Sequence, residues 1–189
     1  MKKKILAAAL SAVLSTGAVA ADVYMIDPGH TYPSIEVDHK GISVLRGKFN
    51  KTEGTITLDR AARTGTMDIT IDAASVDFGH DRLNAHIKTA DMLDVEKFPT
   101  AVYKGKSMTF NGDVPATVDG ELTLHGVTRP LKLTINKFKC IMNTQMKREV
   151  CGADASAEFN RTDFGISFGV PTHAPTVRLQ IEVEAIKQQ

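Results

Sequence analysis

Apolar and polar residues alternate with a period of two over most of this chain. Near the C-terminus, Val177, Leu179, Ile181, Val183 and Ala185 take one face, Arg178, Gln180, Glu182 and Glu184 the other, and Pro175 stands just before them. Successive strand side chains point to opposite faces, so this pattern predicts a half-buried β-strand. Ile35, Val37 and His39 repeat it, as do Ile56 and Leu58; Met67, Ile69 and Ile71; Val118, Leu122 and Leu124; and Leu131, Leu133 and Ile135. Turn formers separate the runs at Gly54, Gly65, Gly112 to Asp113 and Gly126 to Pro130. About eight short strands, each with one apolar face, predict an antiparallel sandwich or closed barrel.

One stretch breaks the rhythm. From His80 to Ala90, the residues Leu83, Ile87 and Ala90 fall at helical spacing among polar neighbours, which predicts one short amphipathic helix. A further turn is expected over Asp91 to Lys97, stopping at Phe98 because the residue before Pro99 is pushed out of the α region. No repeat, low-complexity tract or linker divides the chain.

The N-terminus has the parts of a cleavable secretory signal, expected over residues 1–20. Lys2, Lys3 and Lys4 supply charge, Ile5 to Leu14 an apolar run broken by Ser11, and Ala18 and Ala20 the small residues that a signal peptidase reads. The apolar run is about half the length that a spanning helix needs. Cleavage is expected after Ala20 or Ala21, leaving one domain over 22–189 in the periplasm. Loss of the three lysines takes the formal charge from +1 to −2, and acids and bases are interleaved throughout. A phosphate-binding surface would need a basic stripe, so nucleic acid is not an expected partner.

That compartment favours oxidised thiols, so Cys140 and Cys151 are expected to form a disulfide. Their spacing is too wide for a Cys-x-x-Cys redox motif, and no other thiol completes a four-sulfur metal site. The polar segment Ile141 to Val150, with Asn143, suits a hairpin tip that the bond would clamp.

Motifs for catalysis are missing. There is no His-Glu-x-x-His, Leu45 stands where a nucleophile elbow beginning at Gly41-Ile42-Ser43 would need its second glycine, and Asp163-Phe164-Gly165 lacks the other parts of a kinase. His80 and His86 are six apart and do not share a helical face, which disfavours a metal site there. Arg161 and Asp163, two apart, would share a strand face and serve an ion pair or hydrogen-bond network near one end of the fold. His125 is expected to shape the turn before Gly126.

Several fragments in order resemble the YceI-like family of periplasmic lipid-binding proteins. They are His30-Thr31, Val37 to Ser43, Gly47-Lys48-Phe49, Ala74 to Asp77, His86 to Asp91, Glu96 to Pro99, Gly120 to Pro130 and Arg161 to Ile166. Together they span almost all of the chain after the signal. Leu83 and Asn84 stand where that family tends to have Arg-Asp, and Met92 where it favours an aromatic. The resemblance implies a mainly β fold, a lipocalin-like antiparallel barrel of about eight strands with one short helix packed against it. It also implies non-catalytic carriage or storage of a long amphiphile such as a polyisoprenoid or fatty-acid derivative, the bound lipid taking the place of any cofactor.

Strand alternation within such a barrel places candidate ligand contacts among Val37, Phe49, Ile69, Ile71, Tyr103, Leu122, Leu124, Phe164, Leu179 and Ile181, with Leu83, Ile87, Met92 and Leu93 closing one end. His39 continues the Ile35 and Val37 face; a core histidine held by a carbonyl or by Ser43 is the leading reading and a head-group contact the other. A periplasmic hydrolase or a metal-binding protein using His and Asp residues is the competing function. No metal site, membrane span or catalytic residue is expected, and monomer and homodimer both stay open.

Overall fold

A computed structural model describes residues 21–189, so the expected signal over 1–20 lies outside the described residues. The strands are β1 (Asp22–Ile26), β2 (Tyr32–His39), β3 (Ser43–Phe49), β4 (Thr52–Asp59), β5 (Thr64–Asp72), β6 (Val76–Asp77), β7 (Thr100–Asn111), β8 (Val114–Leu124), β9 (Val127–Asn143), β10 (Arg148–Asn160) and β11 (Thr176–Lys187). One α-helix, α1 (Asp81–Ile87), lies between β6 and β7.

The pairing registers show how these segments make a closed antiparallel barrel of eight. β1 pairs with β4 and β2 with β3, as one long hairpin bent near Asp27 to Thr31 and near Asn50. β5 and β6 continue that arrangement along β4 and β3. From β5 the ladder passes to β7, β8, β9, β10 and β11, and β11 closes the ring on both β1 and β2. The barrel therefore solves the choice between sandwich and barrel by leaving no long unpaired edge.

Alternation sets what faces inward. On β11 the odd residues Val177 to Ala185 point inside, and on β10 the odd residues from Cys151 onward do the same. The outside carries cross-strand threonine pairs, Thr57 with Thr66 at 2.6 Å and Thr109 with Thr117 at 2.7 Å, and ion pairs such as Lys132 with Asp119 at 3.0 Å. Register shifts near Lys106 of β7 and Asn136 of β9 insert an extra residue, so even residues Met108 and Phe138 turn inward beyond them.

Three local expectations need correction. The helix ends at Ile87 rather than reaching Ala90, because Thr89 hydrogen-bonds back to the His86 carbonyl through both its amide and its hydroxyl. Pro130 lies inside β9, not in a turn; β10 pairs with β9 from Thr134 onward, so Pro130 stands where β9 has a free edge. The strand does not continue through Arg161 and Asp163, which lie in a short 3-10 turn over Arg161–Phe164.

The hairpin between β8 and β9 turns on His125 and Gly126, whose φ values of 51° and 73° match a two-residue turn of the primed type. His125 thus shapes the turn as expected. A Cβ on Gly126 would also lie 2.5 Å from the Phe98 ring, so the glycine is required twice over. Cys140 and Cys151 are disulfide-bonded directly opposite each other on β9 and β10, and Asn143 accepts hydrogen bonds from the Gln145 and Met146 amides at the tip.

Candidate ligand-binding cavity

The inward faces enclose a cavity of about 230 Å³. One water molecule needs on the order of 10–15 Å³ by this kind of measure, and well-packed interiors hold few voids larger than that. The cavity runs the length of the barrel, from Pro115 and Phe138 near the disulfide to Ile87, Met92 and Leu93 beneath the helix. Apart from Thr31, Thr52, Tyr103 and Arg161, every residue on its wall is apolar.

Val37, Phe49, Ile69, Ile71, Tyr103, Leu122, Leu124, Leu179 and Ile181 line this cavity together. Two of the candidates do not. Phe164 is 1% exposed and packs edge-on against Phe159 at 5.2 Å, within the core cluster of Val118, Leu131 and Leu133. His39 has the inward parity of Val37 but lies past the last closed ladder position, at the rim, with its ring 5.0 Å from that of His173. At the helix end, Ile87, Met92 and Leu93 face the cavity, while Leu83 lines a shallow outer hollow with His80, Arg82 and His86. His80 caps the helix, and His86 stacks edge-on against Phe168 at 4.8 Å. Asn84 braces the approach to the helix, accepting from the Phe78 amide at 2.7 Å and donating to Asp77 at 2.9 Å. The bond from the Gly79 amide first, and then that from the Asn84 side chain, hold the Asp77 carboxyl below its ordinary pKa.

The polar groups on the wall differ in how they are satisfied. The Tyr103 hydroxyl donates to the Val118 and Leu131 carbonyls, and burial raises its pKa. Thr31 accepts from the Glu184 amide and donates to the Glu184 carbonyl, both at 3.2 Å. The Thr52 hydroxyl is buried and has no hydrogen-bond partner among the described residues. Arg161, 6% exposed, donates from Nε to Ala174 (3.4 Å), from Nη1 to Ile166 (3.1 Å) and from Nη2 to Phe168 (2.9 Å), all backbone carbonyls. Burial lowers its pKa. Asp163 forms no ion pair with it; the Asp163 carbonyl instead accepts from Arg129 Nε at 3.2 Å.

Arg161 was expected in an ion pair or hydrogen-bond network near one end of the fold and makes such a network with backbone carbonyls alone; its place on the cavity wall, like that of the two threonines, was not among the expected contacts, although parity was available for the arginine. It follows Ala153, Ala155, Ala157 and Phe159 at the inward spacing of β10. Outside the cavity, Asp27, His30 and Glu184 have ligand atoms within 4.8 Å of one another. Asp27 and His30 bond directly at 2.9 Å, which lowers the pKa of the first and raises that of the second.

Residues 24–185 match the YceI-like domain. The chain belongs to the YceI-like family. UPF0312 proteins of Pseudomonas putida are 34% identical to this YceI-like chain over 197 residues, and that of Pseudomonas fluorescens is 35% identical over 198, with both partners covered in full. Burkholderia cenocepacia BcnA superposes with a TM-score of 0.69 at 21% identity, covering 84% of this YceI-like chain and 98% of its own. A polyisoprenoid binding domain from Saccharophagus degradans, implicated in plant cell wall breakdown, gives 0.63 at 14%, covering 90% and 100%. At these identities the two solved structures share the fold. No helix among the described residues of the YceI-like chain is long and apolar enough to cross a membrane.

Proposed function

We propose that this chain carries or stores a long-chain amphiphile, such as a polyisoprenoid or fatty-acid derivative, outside the cytoplasm and does no chemistry on it. The observation that carries the reading is the cavity wall, which is apolar at all but four residues along the length of the barrel and, among the described residues, presents no carboxylate, imidazole or thiol. Each methylene moved from water into such a wall is worth about 0.8 kcal/mol, so a long tail gains affinity without specific polar contacts. The likeness of fold to a domain named for polyisoprenoid binding agrees with this, as does family membership. A disulfide suits an oxidising compartment.

Protein purified from its own periplasm should carry an extractable lipid, seen as an added mass by native mass spectrometry. Ile181→Asp should fold and lose that mass, because Ile181 lines the cavity while keeping part of its surface exposed, and a carboxylate there faces the tail without a partner. Retention of the lipid at wild-type affinity by Ile181→Asp would show that the tail does not follow this wall. Protein that never carries lipid would overturn the function.

A further inference from the structure

We infer that Arg161 receives the head group of the ligand, that the head is an oxyanion, phosphate or carboxylate, and that the tail therefore runs from the helix end toward the disulfide. The inference rests on the lipid-binding reading above. It starts from a mismatch of charge. Arg46, Arg60 and Arg178, all partly exposed, each have a carboxylate partner, at 2.8, 3.2 and 3.3 Å. Arg161 is the buried arginine and has no carboxylate within 4 Å among the described residues.

A guanidinium has five N–H donors and remains charged at all ordinary pH. Three of the five are used by the Ala174, Ile166 and Phe168 carbonyls, which leaves one N–H on each Nη. Those carbonyls are dipoles and carry no net charge, so the positive charge stays uncompensated beside an apolar lumen, where a lone ion is costly. Two free N–H groups on adjacent nitrogens match the paired oxygens of a phosphate or carboxylate.

Position gives the orientation. Arg161 follows the last residue of β10, and its amide continues the ladder to the Pro175 carbonyl at 2.9 Å, so it stands at the end of the barrel that α1 covers. At the other end the wall is Leu58, Met108, Pro115, Phe138 and Val183, with nothing to receive a charge. A bare structural brace for residues 165–175 would explain the three carbonyl bonds. It would not explain why the brace is a cation on the cavity wall.

The test compares octaprenyl monophosphate with octaprenol, and palmitate with hexadecanol, by displacement of a fluorescent fatty probe from the full mature protein. Inorganic phosphate is the control for a site that needs no tail. The wild type should bind each anionic lipid about tenfold or more tightly than its alcohol. Arg161→Gln should bring the ratio of anion to alcohol affinity to within about threefold, whatever loss the two share through a loosened cover, and Arg161→Lys should keep part of the preference. Equal wild-type affinity for anion and alcohol would overturn the inference and leave the carrier reading standing. So would a loss shared equally by anion and alcohol in Arg161→Gln, which is the result a brace predicts. Displacement by inorganic phosphate alone at the concentration of the lipid phosphate would overturn the lipid as the source of the oxyanion. If no lipid displaces the probe, inference and carrier reading fall together. Should Arg161→Gln not fold, the wild-type ratios decide alone.

Discussion

At the end of the barrel where β9 turns into β10, a covalent clamp is joined by ties between strands far apart in sequence. The Cys140–Cys151 bond clamps the hairpin, and Tyr24 on β1 donates to Glu149 on β10 at 2.5 Å. Arg60, just after β4, holds the other carboxylate oxygen at 3.2 Å, and Lys187 reaches Asp22 at 2.6 Å. Tyr24, Ile26, Leu58, Cys151 and Ala185 form a buried cluster directly beneath. The opposite end is covered by local pieces: α1, which has no buried residue, and residues 165–175, fastened by hydrogen bonds from Arg161. Opening the first end means separating ladder strands. Opening the second breaks hydrogen bonds within short segments and leaves the barrel intact, so the cover can be remodelled at little cost to the fold.

The largest effect should come from the covalent tie. Replacing both cysteines, Cys140→Ala with Cys151→Ala, frees a short loop and should cost about 2–3 kcal/mol in urea unfolding by the chain-entropy estimate. Lipid affinity of the folded variant should not change, because the lost bond lies at the end remote from Arg161. An affinity change as large as that from altering the helix end would show that the two ends are coupled.

Tyr24→Phe should cost about 1.5–2 kcal/mol, the lower part of the range for a hydrogen bond to a charged acceptor, because the pair is only part-buried. It also carries a pH signature. Burial first, then the hydrogen bond and charge of Glu149, raise the Tyr24 pKa above its ordinary value of 10.0. The folded state therefore holds this proton more tightly than the unfolded one. That contribution is complete below about pH 10 and is lost as pH rises beyond it. Stability measured through that range should fall less steeply in Tyr24→Phe than in the wild type. Tyr103 is shifted in the same direction by burial, so part of the slope should remain. Identical slopes would remove Tyr24 from the account of why this end is firm.

The same contrast explains what could be read from the sequence. Where strands are long and their inward residues large, as in β11, alternation located both the strand and its buried face. In β10 the inward series runs through Ala153, Ala155 and Ala157, too small to stand out against Gly152 and Ser156, so the strand went unread beyond the hairpin expected at Cys151. Bulges hid other parts, since the extra residues near Lys106 and Asn136 invert the parity that the pattern relies on. Most of the cavity wall was legible because it is the apolar face of the strands. Its polar points other than Tyr103 were not, because a lone Thr or Arg at inward parity looks the same whether it is satisfied by backbone, by a side chain or by nothing.

Two of those points lie where the long strands bend between the two ends, and they should respond oppositely to one substitution. β11 pairs with β1 up to Ala185 and with β2 from Glu182, and across that gap the Thr31 hydroxyl takes the Glu184 amide and gives its proton to the Glu184 carbonyl. Thr31→Val keeps the shape and strands a buried N–H, which should cost about 1 kcal/mol. Thr52, at the bend between β3 and β4, is 3% exposed and its hydroxyl has no partner among the described residues. Thr52→Val removes an unpaired hydroxyl from an apolar wall and should raise stability by about 0.5–1 kcal/mol, with lipid binding at least as tight. Urea midpoints of the two variants, measured side by side, give the sign directly. If both fall, the Thr52 hydroxyl has a partner in solution, such as a bound water, and the wall is wetter at its middle than its residues indicate.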